Sequence, residues 1–264
     1  MLQSGYGLDE NGFIVSDVSL EKIEPTYLPC IQECVESLKN LFHQQLHSIY
    51  VYGSVARGEA VVATSDLDII AMFKSELSSS EVDDLRKLAA GLSQKYVDLV
   101  REVGIAIAYY DYTVDPVNYY ENAFLAELCV CVHGEDLGEK FGPYKLSPEI
   151  AIRFNGDIRE VLTRTLTRIE TASSEDLPKI IQGFARKIIR KYYSMVMVRS
   201  HIWTTRLHEQ ADIFLFYFPE KKPVISTLFN LIEETVMDRE AVYELFKLEG
   251  EWASLNFAHE VYIS

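Results

Sequence analysis

The stretch SIYVYGSVARGEAVVATSDLDIIAMF, from Ser48 to Phe73, holds two apolar runs separated by a small-residue turn and a polar centre. Ile49 to Tyr52 reads as a strand that ends at Gly53-Ser54. A polar loop of eleven residues follows, and a second strand carries Asp66-Leu67-Asp68-Ile69. Side chains alternate faces along a strand, so Asp66 and Asp68 project to one side while Leu67 and Ile69 project to the other. Two carboxylates on one face, beside a turn free of bulky side chains, suit Mg²⁺ and a nucleoside triphosphate. Mg²⁺ takes oxygen ligands octahedrally, commonly one or two carboxylates plus the substrate's phosphates. A paired-metal site activates an attacking oxygen and stabilises a departing pyrophosphate. Asp-x-Asp alone says little; its coupling to Gly-Ser at this spacing, between two strands, is the specific signal.

The segments Tyr52-Gly53-Ser54-Val55-Ala56-Arg57-Gly58 and Ser65-Asp66-Leu67-Asp68-Ile69 resemble the signature of the polymerase-beta-type nucleotidyltransferase superfamily. The resemblance implies that Gly53 and Ser54 hold the triphosphate, with Arg57 close by, and that Asp66 and Asp68 hold the metals. The loop between the two halves is about one residue longer than in many relatives. The superfamily has a third carboxylate on a later strand, which assists the metals or takes the acceptor's proton. In Arg101-Glu102-Val103-Gly104-Ile105, Glu102 stands at the start of the candidate strand and is the first choice. Asp111 is second and Asp98 third, and a shift of two residues would put Gly104 in the place and leave no third acid.

Charge narrows the substrate. Residues 1–150 contain 24 acids and 10 bases, and residues 151–264 contain 16 and 15, for a net charge of −15. Tracking a long DNA or RNA backbone needs a basic groove, so a polynucleotide substrate is disfavoured. An acidic first half favours metal ions and a cationic small acceptor. The second half offers Arg186, Lys187, Arg190, Lys191, Arg199 and Arg206. The i,i+4 pairs Arg186/Arg190 and Lys187/Lys191 each share a helix face. Lys187 and Arg190 are therefore candidate triphosphate contacts, against the alternative of a solvated face.

The chain has 264 residues and its composition is 48% hydrophobic, with 13 Phe and 16 Tyr, enough for packed cores in two domains. No apolar run reaches eighteen residues, and the first residues, MLQSGYGLDENG, have neither a basic nor an apolar leader, so a cytoplasmic protein is expected. Cys30, Cys34, Cys129 and Cys131 read as reduced buried thiols rather than metal ligands.

Alternating helix and strand from Pro25 to about residue 140 predicts an α/β (α+β) domain with a mixed sheet. After Pro148 the pattern is helical only, which predicts a bundle. The expected domains are 1–145, with an irregular extension over 1–25 containing a hairpin at Asn11-Gly12, and 146–264. This layout resembles the streptomycin/spectinomycin-type aminoglycoside adenylyltransferases and related bacterial nucleotidyltransferases. It implies Mg²⁺-dependent transfer of a nucleoside monophosphate, AMP from ATP foremost, to a hydroxyl of a small molecule. A protein or tRNA acceptor, or a catalytically weak nucleotide-binding regulator, are the alternatives.

Overall fold

In a computed structural model of the chain, residues 2–233 and 238–263 are described. The chain divides into two compact units, one formed by Val15–Tyr144 and the other by Met1–Ile14 together with Lys145–Ser264. The first unit is a four-stranded sheet in the order β3-β2-β1-β4, with β1 (Leu46–Tyr52), β2 (Leu67–Phe73), β3 (Val103–Tyr109) and β4 (Cys129–Gly134). β1 is antiparallel to β2 and β4, and β2 is parallel to β3, so the sheet is mixed as expected.

The period of two along these strands creates two different faces. Ile49, Val51, Leu67, Ile69, Ala71, Phe73 and Val103 pack with α1 (Leu28–Phe42) and α3 (Ser79–Lys95) into one core, which includes Cys30, Ile31, Cys34, Leu38, Leu85 and Leu92. The opposite parity, Tyr50 and Met72, packs with Leu125 and Leu137, and Ile70 lies against this smaller cluster. Asp68 shares that second parity. The parallel β2–β3 connection needs a crossover, and α3 supplies it. A capping box starts α3: Ser78 Oγ accepts the Glu81 N–H, and the Ser78 N–H donates to Glu81 Oε2 at 2.7 Å.

Three local expectations change. Residues 53–57 form a short helix, α2 (Gly53–Arg57), rather than the start of a loop, because Val55 and Ala56 are buried in the main core. The apolar and aromatic run Val103 to Tyr112 predicts one strand, but it stops at Tyr109 and turns into α4 (Tyr110–Val114), so Asp111 sits in a helix's first turn and not on a strand. The sequence predicts a short helix over Tyr119 to Leu128; the structure has a turn followed by the shorter α5 (Ala123–Leu128). The four cysteines are free thiols.

The second unit is built around α8 (Leu177–Ser200), packed by α6 (Pro148–Asn155), α7 (Ile158–Thr171), α9 (Leu207–Tyr217), α10 (Lys222–Glu233) and α11 (Arg239–Glu260). The periodicity from Phe154 to Ile169 predicts one helix; α6 and α7 are two, interrupted at Gly156-Asp157. The aromatic residues are mostly core, with Tyr192 stacked on Phe214 at 4.4 Å and edge-on to Trp252 at 5.4 Å. Residues 1–14 were expected with the first domain but belong here. The Gly5 N–H donates to the His201 carbonyl at 2.7 Å and the Trp203 N–H to the Tyr6 carbonyl at 2.9 Å. The hairpin is present, closed by the Leu8–Ile14 bridge, with Asp9 Oδ1 accepting the Asn11 and Phe13 N–H groups.

Lys191 is the departure with a measurable consequence. It is fully buried, donates to the Asn155 carbonyl and lies over the Phe257 ring, so it cannot belong to a solvated basic face. Burial lowers its pKa to about 7, with Asp157 opposing and nearby Lys187 reinforcing the shift. An unfolded lysine titrates at about 10.4, so between these values the unfolded chain holds a proton that the native chain lacks. Stability attributable to Lys191 therefore rises with pH from about 7 to 10.4, by up to about 1.4 kcal/mol per unit. Buried thiols with raised pKa values act in the opposite sense, so the readout is a difference. Urea unfolding across this range is expected to show a steeper upward slope for the native sequence than for Lys191→Met.

Candidate active site

Tyr52 ends β1 opposite Asp68 on β2, and Gly53 then leaves the strand at φ +76°, a backbone conformation that side chains disfavour. A Cβ at Gly53 would lie 2.6 Å from Asp68 Oδ2, so only glycine lets the turn and the carboxylate come this close. The chain passes directly into α2, whose first backbone N–H groups have no acceptor within the helix. Ser54 and Arg57 lie on this turn of helix. Arg57 Nε donates to Glu59 Oε2 at 3.0 Å, so its guanidinium is held at the helix end.

Asp66 immediately precedes β2 and Asp68 is its second residue; both are half-buried while Leu67 between them is fully buried. The alternation read from the sequence is thus present. β3 adds the next layer. Asp68 stands beside Gly104 in the parallel register, and Leu67 beside Val103, so Glu102, whose carbonyl accepts the Leu67 N–H at 2.9 Å, flanks the Asp66 end. Both readings of the third carboxylate contained part of this. Gly104 occupies the place beside Asp68, and Glu102 lies at the mouth of the strand beside the first aspartate. Asp111, in α4, and exposed Asp98 are not on β3.

The residue not assigned a role from the sequence is Arg101. Its Nε donates to Asp66 Oδ1 at 3.0 Å and its Nη2 to Asp66 Oδ2 at 2.6 Å, a bidentate fork. The guanidinium pKa is raised, first by the hydrogen bonds to Asp66, and further by the charges of Asp66, Glu102 and Asp68. A lone arginine directly before Glu102, in a half of the chain with 24 acids and 10 bases, was the available signal.

Lys187 and Arg190 are on α8 in the helical unit, where Lys187 Nζ pairs with Asp157 Oδ1 at 3.0 Å and Arg190 is exposed. Asp66 and Asp68 offer hard oxygen ligands close to a turn that only glycine can make, a donor set that fits Mg²⁺ with phosphate completing its shell. Among the described residues, no set of three His, Cys, Asp or Glu side chains is gathered to hold a metal without such help.

Residues 31–121, from within α1 to beyond β3, match the family model of the nucleotidyltransferase domain. No curated protein matches the chain in sequence. Among solved structures, the chain is similar to spectinomycin adenyltransferase AAD(9) from Enterococcus faecialis, determined with ATP and spectinomycin. That likeness has a TM-score of 0.51 at 15% identity and covers 86% of this chain and 98% of the other. It shows that the two share a fold, mixed sheet and helical C-terminal region included.

Proposed function

We propose that this chain transfers a nucleoside monophosphate, AMP from ATP foremost, to a hydroxyl group of a small, positively charged acceptor. The observation that carries the reading is the Gly53 turn packed against Asp68, with Asp66 one residue before β2 and Glu102 flanking that end of the strand pair. Asp66 and Asp68 would hold Mg²⁺, which when bound neutralises phosphate charge and favours departure of pyrophosphate. The Gly53-Ser54 turn presents backbone N–H groups to the β- and γ-phosphates. Glu102 accepts the acceptor hydroxyl's proton, and the rest of the catalysis is positioning and electrostatics. Arg57, held at the end of α2, is a further candidate triphosphate contact.

The net charge of −15 and the fold shared with a protein crystallised with ATP and spectinomycin both favour a cationic small molecule over a polynucleotide. The test is pyrophosphate release from each of the four NTPs against a panel of aminoglycosides, spectinomycin included, and cell metabolites. Release with ATP that depends on one acceptor class is expected. Release that requires tRNA or a protein, or nucleotide binding with no release under any condition, would sink the reading.

A further inference from the structure

The same pair of bonds that makes Arg101 conspicuous gives it a function beyond structure. We propose that Arg101 is the competing counter-ion of Asp66, and that its guanidinium fork must leave that carboxylate before a divalent cation is held there. Arg101 thereby sets the metal affinity of the site. The proposal rests on the nucleotidyltransferase reading and concerns how that site is loaded.

Three features of the chain support it. Both oxygens of Asp66 already accept an N–H from one guanidinium, so a dication approaching either oxygen meets a fixed positive charge. The fork is positioned by backbone rather than chance: the Arg101 N–H donates to the Ser65 carbonyl at 3.0 Å, and the Leu67 N–H to the Glu102 carbonyl at 2.9 Å. β2–β3 pairing thus sets Arg101 alongside Asp66 in every folded molecule. Finally, the Arg101 side chain is 46% exposed and that of Asp66 27%, so the guanidinium has water to swing into. It is a removable partner, unlike a buried ion pair.

The consequence lies in the order of loading. With both oxygens of Asp66 engaged by the guanidinium, the site holds a bare dication weakly. A metal arriving with a triphosphate brings oxygens for its own coordination shell. The same phosphates offer the displaced guanidinium a bidentate acceptor as good as the carboxylate it gave up. Arg101 is a positioning residue in this scheme, acting through Asp66.

The experiment is binding of Mn²⁺ alone, a hard octahedral ion like Mg²⁺, to the full chain, read from the free-ion electron paramagnetic resonance signal. Arg101→Gln is expected to bind Mn²⁺ about fivefold more tightly than the native chain, the factor that follows when a half-exposed ion pair no longer has to be broken. Without metal the same variant is expected to melt lower than the native chain, and to gain more on adding Mn²⁺. Arg101→Lys keeps the charge but loses the fork, and falls between the two; it decides the matter should the Gln variant not fold. Unchanged or weaker Mn²⁺ binding in the Arg101 variants overturns the proposal. Asp68→Asn separates the two ideas. If it abolishes Mn²⁺ binding while Arg101→Gln leaves it unaltered, only the role of Arg101 fails. If Mn²⁺ binds equally well without Asp68, the metal assignment itself fails and takes the proposal with it.

Discussion

Asp66→Asn and Asp68→Asn are each expected to lower turnover by about a thousandfold or more while the protein stays folded. The loss follows from the charge each carboxylate contributes to holding the metal, whose stabilisation of developing charge is worth several kcal/mol, and each 1.4 kcal/mol is about tenfold in rate. Asparagine has nearly the shape of aspartate, so no cavity forms. The two variants should differ in stability. Asp68 lies against the Gly53 turn, and its loss leaves Arg101 paired. Asp66→Asn breaks the fork to Arg101, a half-exposed pair worth at most about 1 kcal/mol. Pyrophosphate release and thermal melting together check both statements. Near-native turnover in either variant removes that aspartate from the chemistry.

Glu102→Gln is expected to reduce kcat by about 10²- to 10⁴-fold, the range for losing a positioned general base. The affinity for ATP should stay close to native, because Glu102 flanks the Asp66 end of the strand pair and not the Gly53 turn proposed to receive phosphates. A kcat loss without an ATP effect is the signature sought in steady-state kinetics. An equal loss in both would mean that Glu102 holds metal or nucleotide instead. Full activity in Glu102→Gln would leave β3 without an acid, since Gly104 is what stands beside Asp68.

The four-stranded sheet was legible because its information is local. Alternation from Ile49 to Phe73 fixes which side chains meet the core, and Leu67 and Ile69 are fully buried where Asp66 and Asp68 are not. The Ser78-x-x-Glu81 spacing that caps α3 is local in the same way. Legibility failed where the deciding partner is distant in sequence. Nothing around Arg101 states that it will lie on Asp66, thirty-five positions away, because that depends on a parallel register which only tertiary pairing sets. Lys191 forms an i,i+4 pair with Lys187 that reads as a basic face, yet Asn155 and Phe257 enclose it. The end of β3 at Tyr109 was missed because aromatic, β-favouring residues continue through Tyr110 and Tyr112 into α4, where tertiary context overrides propensity.

The chain order of the two units affects how this molecule is made. Residues 1–14 wait for partners such as His201 and Trp203, some two hundred positions later, whereas Val15–Tyr144 is one uninterrupted stretch. On a ribosome the sheet unit can be complete while the first residues are still unpaired, and the helical unit closes only after most of the chain has emerged. Each doubling of the intervening length adds only about 0.6 kcal/mol to that closure, so the arrangement is slow rather than unstable. A nascent chain exposed only as far as about residue 150 would thus carry Asp66, Asp68 and Glu102 while Gly5 and Tyr6 still lack their partners His201 and Trp203. A limited-proteolysis time course on chains stalled at that point would follow the two assembly events separately.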